Sequence, residues 1–446
     1  MSIKNLNESE IEEFITARLA VKPAAKEAKG EVFTPPSLIK EMLDALPPAV
    51  WTNPNLKWLD PANGIGNFPM LVYSRLMAGL GAAIPEKAER SAHIIERMLY
   101  MVEISPSNVA VALEIFGPRA NIVCADFLQG GGLFAQPDTF DIILGNPPYN
   151  SNGIKHHGEK NIYVFFAVAA FKRLNPDGLL LFLHPPVYRI PNHKIQCTRG
   201  TNLNAIYTGK QILCIKMFTI ERTKALMQVM INVDYILVKN APNDGATRTR
   251  ITDTQGRINL VWLAPGAFIP NYGLTILAKL AAKAARGRHI AIHLDSEMHK
   301  QHTAGTKYKN IHGITKKGLK ICWSDEPHSL YANRKLIING IGSYNYVFYD
   351  EQGEYGLTQS PLAIVEPTAN TLKLVESKLF HYIAGATKII GNNFLKQTAL
   401  FLPLIAAEIK MTSIADLYGY IGLSEAEIAA VETSINEIPR YLIAEI

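Results

Sequence analysis

Cysteine is scarce and scattered. Cys124, Cys197, Cys214 and Cys322 are the only four, none in a CxxC pair, which excludes a disulfide framework and a thiolate zinc site and fits a reducing compartment. No histidine cluster at ligand spacing replaces them, so no metal is expected. Long apolar runs are missing too, and the N-terminal stretch Asn7 to Glu13 is polar and acidic where a signal segment would be apolar. A soluble, cytoplasmic protein is therefore expected. There are no repeats and no low-complexity tracts. Neither sign of charge dominates: 45 Lys+Arg against 39 Asp+Glu leave +6, which permits a nucleic-acid partner without demanding one. With 19% charged and 48% hydrophobic residues, the 446-residue chain is too apolar for wholesale disorder and long enough for two to three domains.

Two phosphate-binding signatures are absent as well. No G-x-x-x-x-G-K-S/T loop exists for nucleotide phosphates. Pro69 stands where the dinucleotide fingerprint would place its third glycine after Gly64 and Gly66. What remains is half of a nucleotide-binding α/β unit: a short buried strand, Leu56 to Asp60, a turn Pro61-Ala62-Asn63-Gly64-Ile65-Gly66-Asn67-Phe68, then a helix over Met70 to Leu80. The glycines let a ligand approach the backbone, and the helix start behind them can receive a carboxylate. A second strand, Leu99 to Ile104, carries Glu103 near its end, where two carboxylate oxygens can take both hydroxyls of a ribose. A third, Asn121 to Asp126, again ends in an acid, suited to accept a hydrogen from an adenine amino group. A single terminal acid is commonly a helix cap. Asp60, Glu103 and Asp126 on three successive strands would instead line one edge of one sheet.

The fourth strand, Phe140 to Gly145, runs into Asn146-Pro147-Pro148-Tyr149. Two consecutive prolines remove two backbone donors and stiffen the turn, leaving Asn146 and the Pro147 carbonyl aimed beyond the strand. Such a pair of acceptors suits an amino group on a flat ring: drawing its hydrogens out of the ring plane localises a lone pair that is otherwise delocalised. Tyr149 can hold the ring by stacking.

Gly30-Glu31-Val32-Phe33-Thr34-Pro35-Pro36, the Asp60 to Gly66 turn, Glu103, Asp126 and Asn146 to Tyr149 occur in this order. The chain thereby resembles S-adenosylmethionine-dependent DNA amino-methyltransferases that modify adenine at N6. It looks like their gamma subclass, found in type II restriction-modification, over roughly half its length, from about Gly30 to about Asn240. The resemblance implies a Rossmann-like α/β sheet, mostly parallel with an antiparallel final strand, over residues 1–240. A mixed α+β target-recognition domain would follow over 241–446. Thr34 and the turn Asp60, Pro61, Ala62, Gly64, Gly66 would hold the methionine end of the cofactor. Glu103 would hold its ribose and Asp126 its adenine, with Ile104, Phe127 and Asn146 also counted among the cofactor-binding residues. Asn146, Pro147, Pro148 and Tyr149 would hold a flipped-out adenine whose amino nitrogen attacks the methyl carbon in line, with no metal and no covalent intermediate. Double-stranded DNA is the implied partner, together with a separately encoded restriction endonuclease. Asn63 departs from the family pattern, where Cys is frequent.

Beyond the catalytic turn, the polar, basic stretch Asn150 to Lys160 is either a cover for the base or a plain surface loop. Its His156 and His157 lack a third ligand and are not read as a metal site. A helix over Tyr163 to Leu174 and a buried strand over Gly178 to Leu183 follow, with His184-Pro185-Pro186-Val187-Tyr188 at the strand's end, where relatives face the target pocket; Tyr188 is a candidate second wall for the base. Gln228 to Asn240 reads as the domain's last strand. In the second half, Lys307, Lys309, Lys316 and Lys317 belong to a basic segment suited to phosphate contact. Thr371 to Ile383 is helical by period, and Ser424 with Glu427 spells a capping box. A nuclease-like Asp350 with Glu376-Ser377-Lys378 falls within an amphipathic helix and is assigned to chance. A methyltransferase for RNA adenine or a protein glutamine amide, and an inactive DNA-specificity subunit, are the alternatives. The Gly30 to Pro36 motif and the long C-terminal region weigh against the former, and the intact motif set against the latter.

Overall fold

The computed structural model describes residues 3–20, 34–129, 133–134, 138–150, 161–191, 202–286, 293–294, 305–315, 318–339, 347–358, 361–389, 398, 401–403 and 409–434. They divide into two compact units, Met1–Phe268 and Ile269–Ile446.

The first unit is built on one sheet. Its strands are β1 (Trp58–Asp60), β2 (Leu99–Glu103), β3 (Asn121–Cys124), β4 (Phe140–Gly145), β5 (Leu174–His184), β6 (Lys210–Phe218), β7 (Val233–Pro242), β8 (Thr249–Thr252) and β9 (Ile258–Val261). Their spatial order is β3-β2-β1-β4-β5-β7-β6-β8-β9. Strands β1 to β5 pair in parallel, while β7 is antiparallel to both β5 and β6. This is a Rossmann-like sheet, mostly parallel, with the antiparallel β7 between β5 and β6, as expected in class though not in its last strand. The first strand sits between β2 and β4, so the chain proceeds to one side as far as β3 and then returns to the other. In open α/β sheets the crevice at such a reversal, beyond the carboxyl ends of the strands, is where ligands bind.

Apolar strands make this core because parallel strands are covered on both faces. Trp58, Leu59, Leu99, Met101, Ile142, Ile143 and Leu180 to Leu183 are all buried. The helix after β1, Asn67–Gly79, buries eight of its side chains against that sheet, too many for a one-sided surface helix.

Three expectations change. The antiparallel strand starts at Val233 and not Gln228, whose left-handed backbone (φ 57°) ends the preceding helix. It is also not the last strand, since β8 pairs with β6 in parallel and β9 with β8. For the same reason the first unit extends to Phe268 instead of closing at residue 240: the hairpin β8–β9 spends its backbone hydrogen bonds on the β6 edge.

The second unit is mixed α+β, as expected, with two small sheets. One runs β10 (His293–Leu294), β16 (Pro361–Val365), β13 (Lys335–Asn339), β14 (Val347–Asp350); the other runs β12 (Gly318–Ser324), β11 (Tyr308–Thr315), β15 (Tyr355–Leu357). Ile311, Ile314, Ile337, Phe348, Tyr355, Leu357 and Ala363 form one apolar cluster from both. Helices Ala369–Val375 and Lys378–Thr387 occupy the stretch expected to be one helix, parted where the Ser377 side chain caps the second. The capping box of Ser424 and Glu427 is formed in both directions and starts the helix Glu425–Glu432. Among the described residues no helix is long and apolar enough to cross a membrane.

Candidate active site

The turn after β1 is tied down on two strands. Asp60 ends β1 fully buried, and its Oδ1 accepts the Ala62 amide at 3.1 Å. Asn63 donates its amide to the Val102 carbonyl at 2.9 Å, which hooks the turn onto β2. Gly66 takes φ 97° and a Cβ there would meet the Phe116 ring at 3.0 Å, so the residue that starts the next helix has to be glycine. The Gly64 amide donates to Glu103 Oε2 at 2.7 Å, and the Ser105 amide to Glu103 Oε1 at 2.8 Å. One carboxylate thus fastens two loops to each other. A Cβ built on Gly64 meets nothing within 4 Å, leaving open space over the turn. Beside it Ile104 is 52% exposed, an apolar wall next to an acid.

Asp60 is electrostatically unlike Glu103. Burial drives its carboxyl up to about 8 against the opposing Ala62 hydrogen bond, and the nearby Glu103 charge adds to the rise. At neutral pH it therefore holds its proton.

The end of β4 closes on this carboxyl group. Gly145 has φ 149°, and a Cβ there would stand 2.8 Å from Asp60 Oδ1. Any other residue would push the proline turn away from β1. Directly after it the Asn146 side-chain amide donates to the Thr34 hydroxyl at 3.1 Å, joining two motifs 112 residues apart in sequence. Pro147 is buried and Pro148 half-buried. Tyr149 is only 7% exposed; its ring meets Tyr163 edge-on with centroids 6.4 Å apart. Burial raises the Tyr149 phenol above its ordinary range, opposed by a hydrogen bond with Asn146.

The structure therefore brings Thr34, Asp60 to Gly66, Glu103, Ile104 and Asn146 to Tyr149 to the carboxyl ends of adjacent strands. Asp126 follows β3 on the same edge, and its Oδ1 accepts the Leu128 amide at 2.9 Å. Phe127 does not join them: it is buried in a stack with Phe166, centroids 5.4 Å apart, and lies under the Arg173 guanidinium. It packs the helix Tyr163–Arg173 onto the sheet and offers no face to a ligand. Tyr188 is corrected for a similar reason. It is completely buried and donates its hydroxyl to Asp234 at 2.8 Å, with Arg189 ion-paired to the same carboxylate at 3.0 Å, so it is a core residue and not a wall for a base. Lys307 is exposed and Lys309 half-buried with its ammonium over the Tyr355 and Trp323 rings, at 5.7 and 6.0 Å. Asp350 of the nuclease-like pattern is occupied by the buried Lys335 at 2.6 Å. Lys316, Lys317, His156, His157 and Gly30 to Phe33 lie outside the described residues. Among the described residues no group of three His, Cys, Asp or Glu side chains is placed to hold a metal ion. Sequence reasoning missed Gly145, Ser105 and Tyr163; only the first leaves a local signal, a glycine where a buried strand meets the proline turn.

The stretch that contains β2 to β5 decides the relationship. Residues 97–203 match the Eco57I restriction-modification methylase family. The chain is also 41% identical over 78 residues to an uncharacterized adenine-specific methylase of Mycoplasma pneumoniae, covering 17% of this chain and 18% of that relative. It thus spans about a fifth of the length of the curated relative that it matches. Among solved structures, the type IIL restriction-modification enzyme MmeI, determined in complex with DNA, superposes with TM-score 0.54 at 11% identity, covering 97% of this chain and 75% of MmeI. At that identity the likeness is one of fold.

Proposed function

We propose that this chain is a DNA methyltransferase that carries a methyl group from S-adenosylmethionine to N6 of an adenine flipped out of the duplex. The observation that carries the proposal is the joint placement of Thr34, Asp60, Glu103 and Asn146 on one sheet edge, with Asn146 bonded to Thr34 and Gly145 pressed on Asp60. The adenine specificity in the name of the Mycoplasma relative agrees with it, as does the Eco57I-type match across the catalytic turn.

The residues fit the cofactor. Open space over Gly64, the Glu103 carboxylate at the end of its strand and the exposed Ile104 side chain would make a cradle for a ribose and a flat ring. Asp60, buried and proton-holding when alone, suits the cationic methionine end, beside which it would ionise. Asp126 would reach the adenine amino group. When bound, S-adenosylmethionine supplies a methyl group on a positively charged sulfur. Asn146 and the Pro147 carbonyl accept hydrogens from the target amino group, localise its lone pair and orient it toward that methyl. Catalysis here is chiefly positioning. Because Tyr149 is nearly covered, stacking of a base on it requires its cover to withdraw. The unit Met1–Phe268 is the catalytic one; Ile269–Ile446 reads the DNA, with Lys307, Lys309, Lys316 and Lys317 contacting phosphates. A separately encoded endonuclease completes the system.

The test is incubation of the chain with methyl-labelled cofactor and unmethylated duplex DNA, followed by nucleoside analysis. Label in N6-methyladenine is expected. Cofactor binding without label in DNA, or label only in RNA or protein, overturns the assignment.

A further inference from the structure

Behind Tyr149 lies a set of rings that the proposed reaction does not itself use. Tyr163 stands edge-on to Tyr149, and on its other side stacks flat on His184, centroids 5.4 Å apart and planes 22° apart. His184 stacks in turn on Tyr207, at 5.8 Å and 28°. Tyr188 closes the set edge-on to both, at 5.4 and 5.2 Å. All four are buried. They come from four places in the chain: the helix Tyr163–Arg173, the end of β5, the turn Pro186–Arg189 and the helix Leu203–Thr208.

The hydrogen bonds at the centre leave His184 one arrangement. Nδ1 lies 2.8 Å from the Pro185 carbonyl, which only accepts, so Nδ1 carries the hydrogen. In the neutral ring Nε2 is then the acceptor and takes the Tyr207 hydroxyl at 2.9 Å. Burial lowers the His184 pKa to about 4, so the neutral tautomer persists through the ordinary assay range. The far end is anchored by Tyr188 on Asp234 and by Arg189 on the same carboxylate. Polar anchors in a dry interior fix orientation, because each has one satisfied geometry and a costly alternative.

We infer that Tyr163 and His184 are positioning residues for the transfer: their stack fixes the plane of Tyr149, and through it the target ring that Asn146 holds. The inference rests on the proposed reaction. Proline rigidity sets the backbone of the turn, but the Tyr149 ring still has its own side-chain torsions, which its hydrogen bond with Asn146 and the Tyr163 edge both restrict. A ring held off-plane would misdirect the attacking nitrogen, and a displacement of about 1 Å costs on the order of a hundredfold in rate.

The test uses the full chain as Tyr163→Leu, which removes the ring, and Tyr163→Phe, which keeps it. Turnover at saturating unmethylated duplex DNA and S-adenosylmethionine affinity by calorimetry are both read. Tyr163→Leu is expected to lower kcat at least tenfold with cofactor Kd within twofold of the parent, and Tyr163→Phe to stay within threefold of the parent kcat. Parental turnover in a folded Tyr163→Leu overturns the inference; so does an equal loss of kcat and cofactor affinity, which marks general damage. If Tyr163→Leu does not fold, His184→Gln, which keeps a donor and an acceptor but no ring, is judged by the same split. A parent that transfers no methyl to DNA defeats the proposed function itself, whereas an active parent with indifferent variants defeats only the ring column.

Discussion

The two units use buried charge in opposite ways. In Met1–Phe268 the acids at the strand ends meet backbone amides: Glu103 is fastened by the Gly64 and Ser105 amides, and Asp60 is pushed up to about 8 with only a backbone amide to oppose the rise. In Ile269–Ile446 the buried charge is closed on itself. Lys335 and Asp350 pair at 2.6 Å, Asp350 also accepts the Glu354 and Tyr355 amides, and Lys335 donates to the Asn333 carbonyl. Burial would lower the Lys335 pKa, and the Asp350 partner opposes this. A buried acid without a counter-charge holds its proton, whereas a buried pair of opposite charges fixes register.

That contrast is open to experiment, the largest effect first. Lys335→Met should destabilise the second unit by about 3–5 kcal/mol, because Asp350 is left charged and unpaired, while Lys335→Met with Asp350→Leu should recover most of the loss. Denaturation of both variants measures it. Asn146→Ala should lower methyl transfer by about 10²–10³-fold, the range for removing one transition-state hydrogen bond. Cofactor affinity should change little, since the missing amide oxygen faces the target; near-parental turnover would remove Asn146 from the site.

For Asp60 the sign follows from its raised pKa. Below about pH 4 both folded and unfolded chains hold the proton; between about 4 and about 8 only the folded one does, so stability falls as pH rises through that window and levels off above it. Cofactor-free Asp60→Asn should lack this slope, gaining on the order of 3–4 kcal/mol over the parent between pH 5 and pH 8. An identical pH dependence of melting in the two would show Asp60 ionised in the empty site. Glu103→Ala should weaken cofactor binding by about 1.5–3 kcal/mol in calorimetry, the loss of hydrogen bonds to a charged acceptor. The smallest effect concerns the second unit's surface. Lys307, Lys309, Lys316 and Lys317 changed together to Gln should weaken binding to all duplexes alike and flatten the salt slope of log K by roughly 0.9 for each phosphate no longer neutralised. An unaltered slope would move the DNA-binding surface elsewhere.

Much of the catalytic edge was legible because its determinants are local. Glycines that need positive φ, as at Gly66, and paired prolines after a buried run identify the turns from sequence alone, and the strand boundaries follow within a few residues. The second unit was legible mainly in its caps: the box at Ser424 and Glu427 formed, whereas the single helix expected over Thr371 to Ile383 divided at Ser377, whose side chain prefers to cap. β6 escaped notice because its Lys210, Gln211 and Lys216 interrupt the apolar run, and its partners β7 and β8 lie far along the chain.

By itself, then, the sequence determined the order of the motifs, the turns that carry Asp60, Gly64 and Asn146, and hence the kind of chemistry the edge can support, since these depend on backbone conformations that a few neighbouring residues impose. Tertiary structure decided which neighbouring side chains serve that edge. Phe127 and Tyr188 sit next to site residues in sequence yet turn into the core, where Phe166 and Asp234 await them. Tyr163, unmarked by any motif, stands behind Tyr149, and His184, the first residue of the second proline stretch, stacks on Tyr163. The boundary moved to Phe268 because β6 had an edge to be paired. In each case the partner comes from a distant segment, and burial and hydrogen-bond satisfaction are settled only when the segments meet.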